Sequence, residues 1–359
     1  MVVGFHSPLP PARTGVADYS AALLTRLRPF GNIEVGAPRA DVQLYHIGNN
    51  VLHWDIYKRA LAEPGIVVLH DALLQHLFMG ALDEAGYVEE FVFNYGEWSR
   101  ELAVDLWRGK ARSGLRKTYY EYPMLKRLAV RSRTVIVHNP AAARIVREHA
   151  PETPVVEIPL LFEAPRCPVE RTRLDVAYVF GIFGYLRESK RIMTAIRAFE
   201  KVRTIRPATA LLLAGEVLSP DLIRALEPIL NKPGIIKLGH MTESEFWGAA
   251  AATDACLNLR NPSAGETSMV EIQFMGIGKP VVVSSGEETS RYPEGVCLRV
   301  DSGPAEEEML TEYMLSLRLL PELGATIGRR AKEHIRCRHS VEHVARLYWE
   351  TLCAYSRPV

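Results

Sequence analysis

Four short stretches combine residue types able to hold an anion or a sugar hydroxyl. In VVLHD, residues 67–71, His70 and Asp71 follow an apolar run, and an imidazole there can donate or accept a hydrogen bond near neutral pH. The plain alternative is a structural histidine. In FGYLRESKRI, residues 183–192, Gly184 turns the chain and Arg187, Lys190 and Arg191 run into a helix. Cations at a helix start oppose its macrodipole, so their placement points to an anionic ligand, a diphosphate first; the competing reading is a solvated charge run. In LRNPSAGETSMVEIQFMGIGKPVVVSS, residues 259–285, the loop with Gly265, Glu266, Thr267 and Ser268 leads into a short helix carrying Gln273. Backbone N–H groups and hydroxyls at such a helix start suit phosphate, and a carboxylate suits sugar hydroxyls, although an ordinary capped start has the same residues. In HSPLPPARTGVADYS, residues 6–20, Gly15 opens a helix whose free N–H groups can receive a phosphate or a hydroxyl.

All four stretches follow predicted strands, the place where open parallel sheets bind ligands. Apolar runs at 2–6, 42–47, 66–70, 134–138 and 155–158 are hydrophobic on both faces, as buried parallel strands are, with helical sequence between them. The stretch 72–131 contains no good strand. Its helical sequence is studded with aromatics, among them Phe91, Phe93, Trp98, Trp107 and Tyr119, and reads as a helical insertion packed on the sheet, with a lipid or acceptor surface as the minor alternative. Residues 161–175, with Pro165 and Pro168 among clustered charges, predict a linker. Strands resume at 176–183, 210–214, 235–238, 255–259, 281–284 and 296–300, and from Glu306 the chain is helical, its last helix N-capped by Ser340. The class is α/β: two tandem doubly wound, Rossmann-like domains with parallel sheets, spanning 1–160 and 176–339. A terminal helix at 340–359 is free to pack back on the first domain.

A length of 359 residues favours two domains, and 43 basic against 42 acidic residues give a net charge of +1, which argues against nucleic acid as the main partner. No apolar run approaches the ~18 residues of a membrane span, and strand-like VVGFH follows Met1 directly. A cytoplasmic protein is expected, with room for peripheral membrane association. Five scattered cysteines without a CxxC pair fit a reduced compartment. His334, Cys337, His339 and His343 match no familiar zinc spacing, and no Gly-x-Gly-x-x-Gly follows a strand, against dinucleotide oxidoreduction.

Taken in order, SPLPPARTGVADYS, YHIGNN, PGIVVLHD, the Gly184 to Lys190 turn and LRNPSAGETS followed by GIGKPVVVS resemble the retaining glycosyltransferases of family 4, or glycosyl transferases group 1, in a subgroup with a GETS loop. The resemblance covers nearly the whole chain and implies the GT-B fold. It implies that Lys190, with Arg187, holds the donor diphosphate and that His70 faces the donor sugar. Two positions depart from the pattern: Tyr185 stands where the family has Arg after the glycine, and Gly265 and Gln273 stand at the positions of its two glutamates. Glu266 lies one position along.

The function so implied is metal-independent transfer of a hexose, with retention, from a UDP- or GDP-sugar to a saccharide or lipid-linked acceptor, with no cofactor. No Asp-x-Asp pair, the usual divalent-ion clamp of the other large glycosyltransferase fold, occurs in the chain. Lys190, Arg187, Thr267 and Ser268 would serve the leaving diphosphate, with Gly184 and Arg191 beside them, His70 and Glu266 the sugar, and Gln273 the ribose. The donor is expected between two domains that close about the linker. The rivals are a nucleotide-sugar epimerase of the same fold and a nucleotide-sugar binding protein weakened in catalysis.

Overall fold

The computed structural model describes residues 1–165, 172, 174 and 176–356. Most of the expected linker, with Cys167, lies outside the described residues. The chain divides into two units. The first comprises Met1–Leu161, Ser263–Thr267 and Arg338–Val359; the second comprises Phe162–Pro262 and Ser268–Cys337.

In the first unit the chain runs β1 (Val2–His6), α1 (Gly15–Leu27), β2 (Asn32–Val35), β3 (Val42–Ile47), α2 (Trp54–Ala62) and β4 (Ile66–Leu69). Five helices follow: α3 (Gln75–Ala81), α4 (Glu84–Tyr95), α5 (Arg100–Arg108), α6 (Thr118–Glu121) and α7 (Lys126–Arg131). The unit continues through β5 (Thr134–Val137), α8 (Pro140–His149) and β6 (Val155–Glu157). The six strands are parallel, in the order β2-β1-β3-β4-β5-β6. β2 escapes the hydrophobic pattern because it is a four-residue edge strand with one buried residue, Ile33. The helical insertion therefore follows the fourth strand, where the sequence reading counted three. Its aromatics divide: Tyr87, Phe91 and Tyr119 are fully buried in the core with Tyr45 and Phe78, while Trp98 is 72% exposed.

The second unit runs β7 (Tyr178–Phe183), α9 (Ile192–Ile205), β8 (Thr209–Ala214), α10 (Pro220–Leu226), β9 (Ile235–Leu238), α11 (Glu243–Ala252) and β10 (Ala255–Asn258). It continues with α12 (Met269–Gly276), β11 (Val281–Ser284), β12 (Leu298–Val300), α13 (Glu306–Leu319) and α14 (Pro321–Arg338). Its sheet, also parallel, has the order β12-β11-β10-β7-β8-β9. Cores of Val, Leu, Ile and Phe lie on both faces, which is why its strands lack polar alternation.

The last helix, α15 (Val341–Ala354), is capped by Ser340, whose Oγ accepts from His343 N. It packs on α1, with Tyr348 Oη 3.0 Å from Tyr19 Oη and Trp349 under Gly31, where a Cβ would come within 2.3 Å of the indole. His339 Nδ1 donates to Leu160 O at 2.7 Å. No helix among the described residues is long and apolar enough to cross a membrane.

Each sheet has one place where the winding reverses direction: between β1 and β3 in the first, between β7 and β10 in the second. Loops leaving the carboxyl ends of those strands part to opposite faces, and the crevice between them is where open α/β sheets take ligands.

Candidate functional site

In the first unit, three neighbouring strands deliver histidines side by side. β3 carries His46, and His70 and His138 directly follow β4 and β5. The His46 and His70 rings stack at 5.2 Å, the His70 and His138 rings lie 5.1 Å apart, and Tyr19 of α1 stands edge-on to His70 at 5.3 Å. His46 Nδ1 is 3.0 Å from His70 Nε2, and His70 N donates to Ile47 O at 2.9 Å. His53 Nδ1 donates to His46 O at 2.9 Å, and His138 Nδ1 to Ile158 O at 2.8 Å. Burial keeps all four imidazoles neutral: it holds His53 and His138 down to about 4 and, with neighbouring histidines adding repulsion, His46 and His70 well below the ordinary value. Gly48 makes room for His53, since a Cβ there would lie 2.9 Å from His53 Nε2. Asp71, one residue past His70, accepts from Asn49 N at 2.8 Å.

The loop Ser263–Thr267, though it stands among second-half residues in the chain, belongs to this histidine-bearing unit. Ala72 N donates to Ala264 O at 2.9 Å, two residues past His70. Asn139 caps α8 through Oδ1, which accepts from Ala142 N, while its Nδ2 reaches Gly265 O at 2.9 Å and Thr267 Oγ1 at 3.0 Å. Gly265 is required twice over: its φ is +70°, and a Cβ would come within 2.8 Å of the Ala72 Cβ. A carboxylate-bearing residue would be strained there, and the carboxylate of this loop belongs to the next residue, Glu266. Its Oε2 accepts from Ala264 N at 2.8 Å and Ser263 Oγ at 3.4 Å, bracing its own loop.

In the second unit, β7 ends at Phe183, and Gly184 follows with φ +81°. Lys190 is buried, 7% exposed, and Nζ donates to Phe183 O. A Cβ on Gly184 would lie 3.1 Å from that ammonium, so this glycine leaves space beside the charge. Arg187 is exposed and forms no ion pair among the described residues. The Arg191 guanidinium is turned onto Glu306 of α13, which is 2% exposed, with Nε 2.8 Å from Oε2 and Nη2 also on Oε2. This pair joins two elements of the unit, and the φ of +55° at Arg191 belongs to the turn into α9.

The Ser268 hydroxyl does not cap α12; it donates to Asn258 Oδ1 at 3.1 Å and accepts from Arg260 Nη2 at 3.2 Å. Behind it, Glu271 accepts from Asn258 Nδ2 at 2.8 Å and from Tyr292 Oη. Asn261 N donates to Ser189 O at 2.8 Å, tying the loop after β10 to the Gly184–Lys190 turn. Gln273 is half-buried on α12. Gly15 is exposed at the start of α1, where Thr14 Oγ1 already accepts from Ala17 N, and apart from its own chain neighbours and helix backbone no atom of the described residues lies within 4 Å of where its Cβ would be.

The metal-like residues of the C-terminal region have separate surroundings: His334 faces the Tyr292 ring, Cys337 faces Glu333 and His339 faces Leu160. No group of three or more His, Cys, Asp or Glu among the described residues could hold a metal ion. Sequence reasoning passed over His46, His138, Asn139 and Arg260. The histidines had a signal, since each stands at or next to the end of a predicted strand, and Asn-Pro before AAARIV is a helix N-cap signature.

No protein-family model and no curated protein sequence matches this chain. Solved structures do match in fold. Sucrose-phosphate synthase from Thermosynechococcus elongatus is similar at TM-score 0.67 and 15% identity, over 99% of this chain and 100% of that one. The HepE protein of Anabaena, solved with UDP-glucose, is similar at TM-score 0.64 and 15% identity, over 99% and 100%. TarM of S. aureus is similar at TM-score 0.59 and 14% identity, over 93% of this chain and 59% of that one. The chain has the GT-B fold, with two Rossmann-like units built on six-stranded parallel sheets.

Proposed function

We propose that this chain is a glycosyltransferase that moves a hexose from a nucleoside diphosphate sugar to an acceptor hydroxyl, with retention at the anomeric carbon and without a metal ion. The observation that carries the reading is the different furnishing of the two sheet ends: a buried lysine beside a positive-φ glycine at one, a row of neutral histidines at the other. A fixed cation at the reversal point of the second sheet suits a diphosphate. Neutral imidazoles suit an uncharged polyol. The similarity in fold to a sucrose-phosphate synthase and to a HepE protein solved with UDP-glucose supports a UDP-sugar as first candidate, with a GDP-sugar second.

In this mechanism the sugar becomes oxocarbenium-like while charge grows on the departing diphosphate. Lys190 stabilises that charge from a position fixed before the reaction begins, and the first-turn N–H groups of α12, which have no side-chain cap, add to it. Arg187, on the exposed side of the turn, adds longer-range attraction. Thr267 is held by Asn139 with its hydroxyl hydrogen left to donate. His70 positions the sugar, Glu266 accepts from its hydroxyls, and Gln273 meets the ribose. The acceptor is a saccharide or a lipid-linked hydroxyl.

One observation favours a second reading, a nucleotide-sugar binder weakened in catalysis: Glu266 Oε2 is already engaged by Ala264 N. Thermal shifts with UDP, GDP, ADP and their sugars, followed by donor hydrolysis or transfer with and without EDTA, separate the two. A ligand at about 100 times its Kd adds ~2.7 kcal/mol to the stability of the state it binds. A shift with turnover that survives EDTA supports the proposal; a shift without turnover supports the binder; no shift with any nucleotide sugar refutes both.

A further inference from the structure

We infer that His46 is a positioning residue: its Nδ1–H bond to His70 Nε2 fixes His70 in the tautomer that presents an N–H donor, at Nδ1, to the substrate. The inference rests on the proposed role of His70 for its functional meaning, but its structural content is independent of any ligand.

The geometry leaves two assignments for the 3.0 Å contact between His46 Nδ1 and His70 Nε2. A bond between two imidazole nitrogens needs one proton and one lone pair. Either His46 donates from Nδ1 and His70 accepts at Nε2, or the reverse. Both rings are neutral, because burial among other histidines opposes charge, so each carries a single proton.

The far side of His46 decides between them. His46 is 0% exposed, and its Nε2 is buried with no hydrogen-bond partner. If His46 accepted at Nδ1, its proton would sit on Nε2 as a donor sealed from water with nothing to donate to. Orphaned buried donors are rarer and costlier than unfilled lone pairs. With the proton on Nδ1, only a lone pair is left unused. The neighbours repeat the pattern: His53 and His138 each donate from Nδ1 to a backbone carbonyl and keep a buried, unpartnered Nε2. His53 donates to the carbonyl of His46 itself, which holds that backbone in place.

Once His46 donates, His70 accepts at Nε2 and its own proton lies on Nδ1. His70 is half-buried, and of the eight ring nitrogens its Nδ1 alone is neither hydrogen-bonded nor sealed from solvent. The site therefore offers the sugar a neutral donor whose direction is set by a ring two strand-ends deep. Such a group favours a hydroxyl oxygen and gives nothing to a group that can only donate.

The test reads protonation directly. In long-range 1H–15N spectra of the 15N-histidine-labelled full chain without ligand, with signals assigned from His46→Asn, His53→Gln and His138→Gln variants, His70 should show a protonated Nδ1 and an unprotonated Nε2. A protonated Nε2 on His70 overturns the inference. His46→Leu removes the donor, so the His70 Nε2–H form should appear. With UDP-glucose as probe, kcat/KM should fall about tenfold while affinity for UDP stays unchanged. His46→Asn, which can donate from Nδ2, should restore the Nδ1–H form and most of kcat/KM. An unchanged His70 tautomer in His46→Leu refutes the role of His46. If that variant does not fold, the wild-type and His46→Asn spectra decide alone. The expected tautomer without any binding of nucleotide sugars would leave this inference standing and remove the proposed function instead.

Discussion

The two units are built on the same plan, six parallel strands with helices on both faces, yet their ligand ends differ in kind. At the end of the first sheet His46, His53, His70 and His138 are neutral and each is tied to another ring or a carbonyl; at the end of the second, Lys190 keeps a buried amine against a carbonyl oxygen and Arg187 stands exposed nearby. Desolvation acts on both ends. A buried histidine escapes it by giving up its proton, and Lys190 offsets it by donating to Phe183 O, so the same fold presents imidazole hydrogen-bonding groups on one unit and an amine with an exposed guanidinium nearby on the other. Arg191 shows that residue type alone does not decide: it sits next to Lys190 but serves Glu306.

Lys190→Ala tests the charged end and should have the largest effect, lowering kcat/KM for the nucleotide sugar by ~10³ and weakening UDP binding as well, because the leaving charge is greatest in the transition state. Calorimetry beside turnover would reveal it; near-wild-type constants would reduce Lys190 to a core residue. Arg191→Ala should instead lose stability, on the order of 3 kcal/mol in urea denaturation, since it strands the buried Glu306 carboxylate, while the folded fraction binds UDP normally. A selective loss of UDP affinity would return Arg191 to the ligand site.

His70→Ala tests the neutral end, with turnover falling by ~10² and UDP affinity kept, because the free nucleotide lacks the sugar. Loss of folding would make the histidine structural. The neutral cluster also predicts acid sensitivity. Its folded values lie below the unfolded 6.5, to about 4 for His53 and His138, so the unfolded chain binds more protons as pH falls from about 6.5 toward 4. Stability should be full above that window and decline within it, by about 1.4 kcal/mol per pH unit for each histidine that stays neutral. Urea midpoints at pH 7.5, 6 and 5 that do not fall would show the cluster opening to water. The smallest effect is expected at the loop: Glu266→Gln should cut kcat/KM about tenfold with little change in UDP affinity, and Gln273→Ala should do the reverse. Equal effects of both on free UDP would remove the distinction between sugar and nucleotide contacts.

Most of the expected strands were readable because they are local apolar runs, rich in Val, Ile, Leu or Ala, buried on both faces, and period and burial are encoded in consecutive residues. Those at 155–158, 235–238 and 296–300 were legible as apolar runs although they are only partly buried. Ser340 and the Gly184–Lys190 turn were legible for the same local reason. β2 was not, since an edge strand with one buried residue leaves no pattern.

The sequence by itself determined the α/β rhythm, the helical stretch after the apolar run at 66–70, and which residues carry charge near strand ends. Tertiary structure alone decided strand order, and so where each sheet reverses; it decided that Ser263–Thr267 packs beside His70 through Ala72 and Asn139, that Arg191 meets a glutamate 115 positions away, and that Tyr19 meets Tyr348 across 329. The physical reason is range. Periodicity and caps are satisfied within a few residues, whereas a buried polar group is satisfied by whichever partner the packing of the whole unit places within about 3 Å.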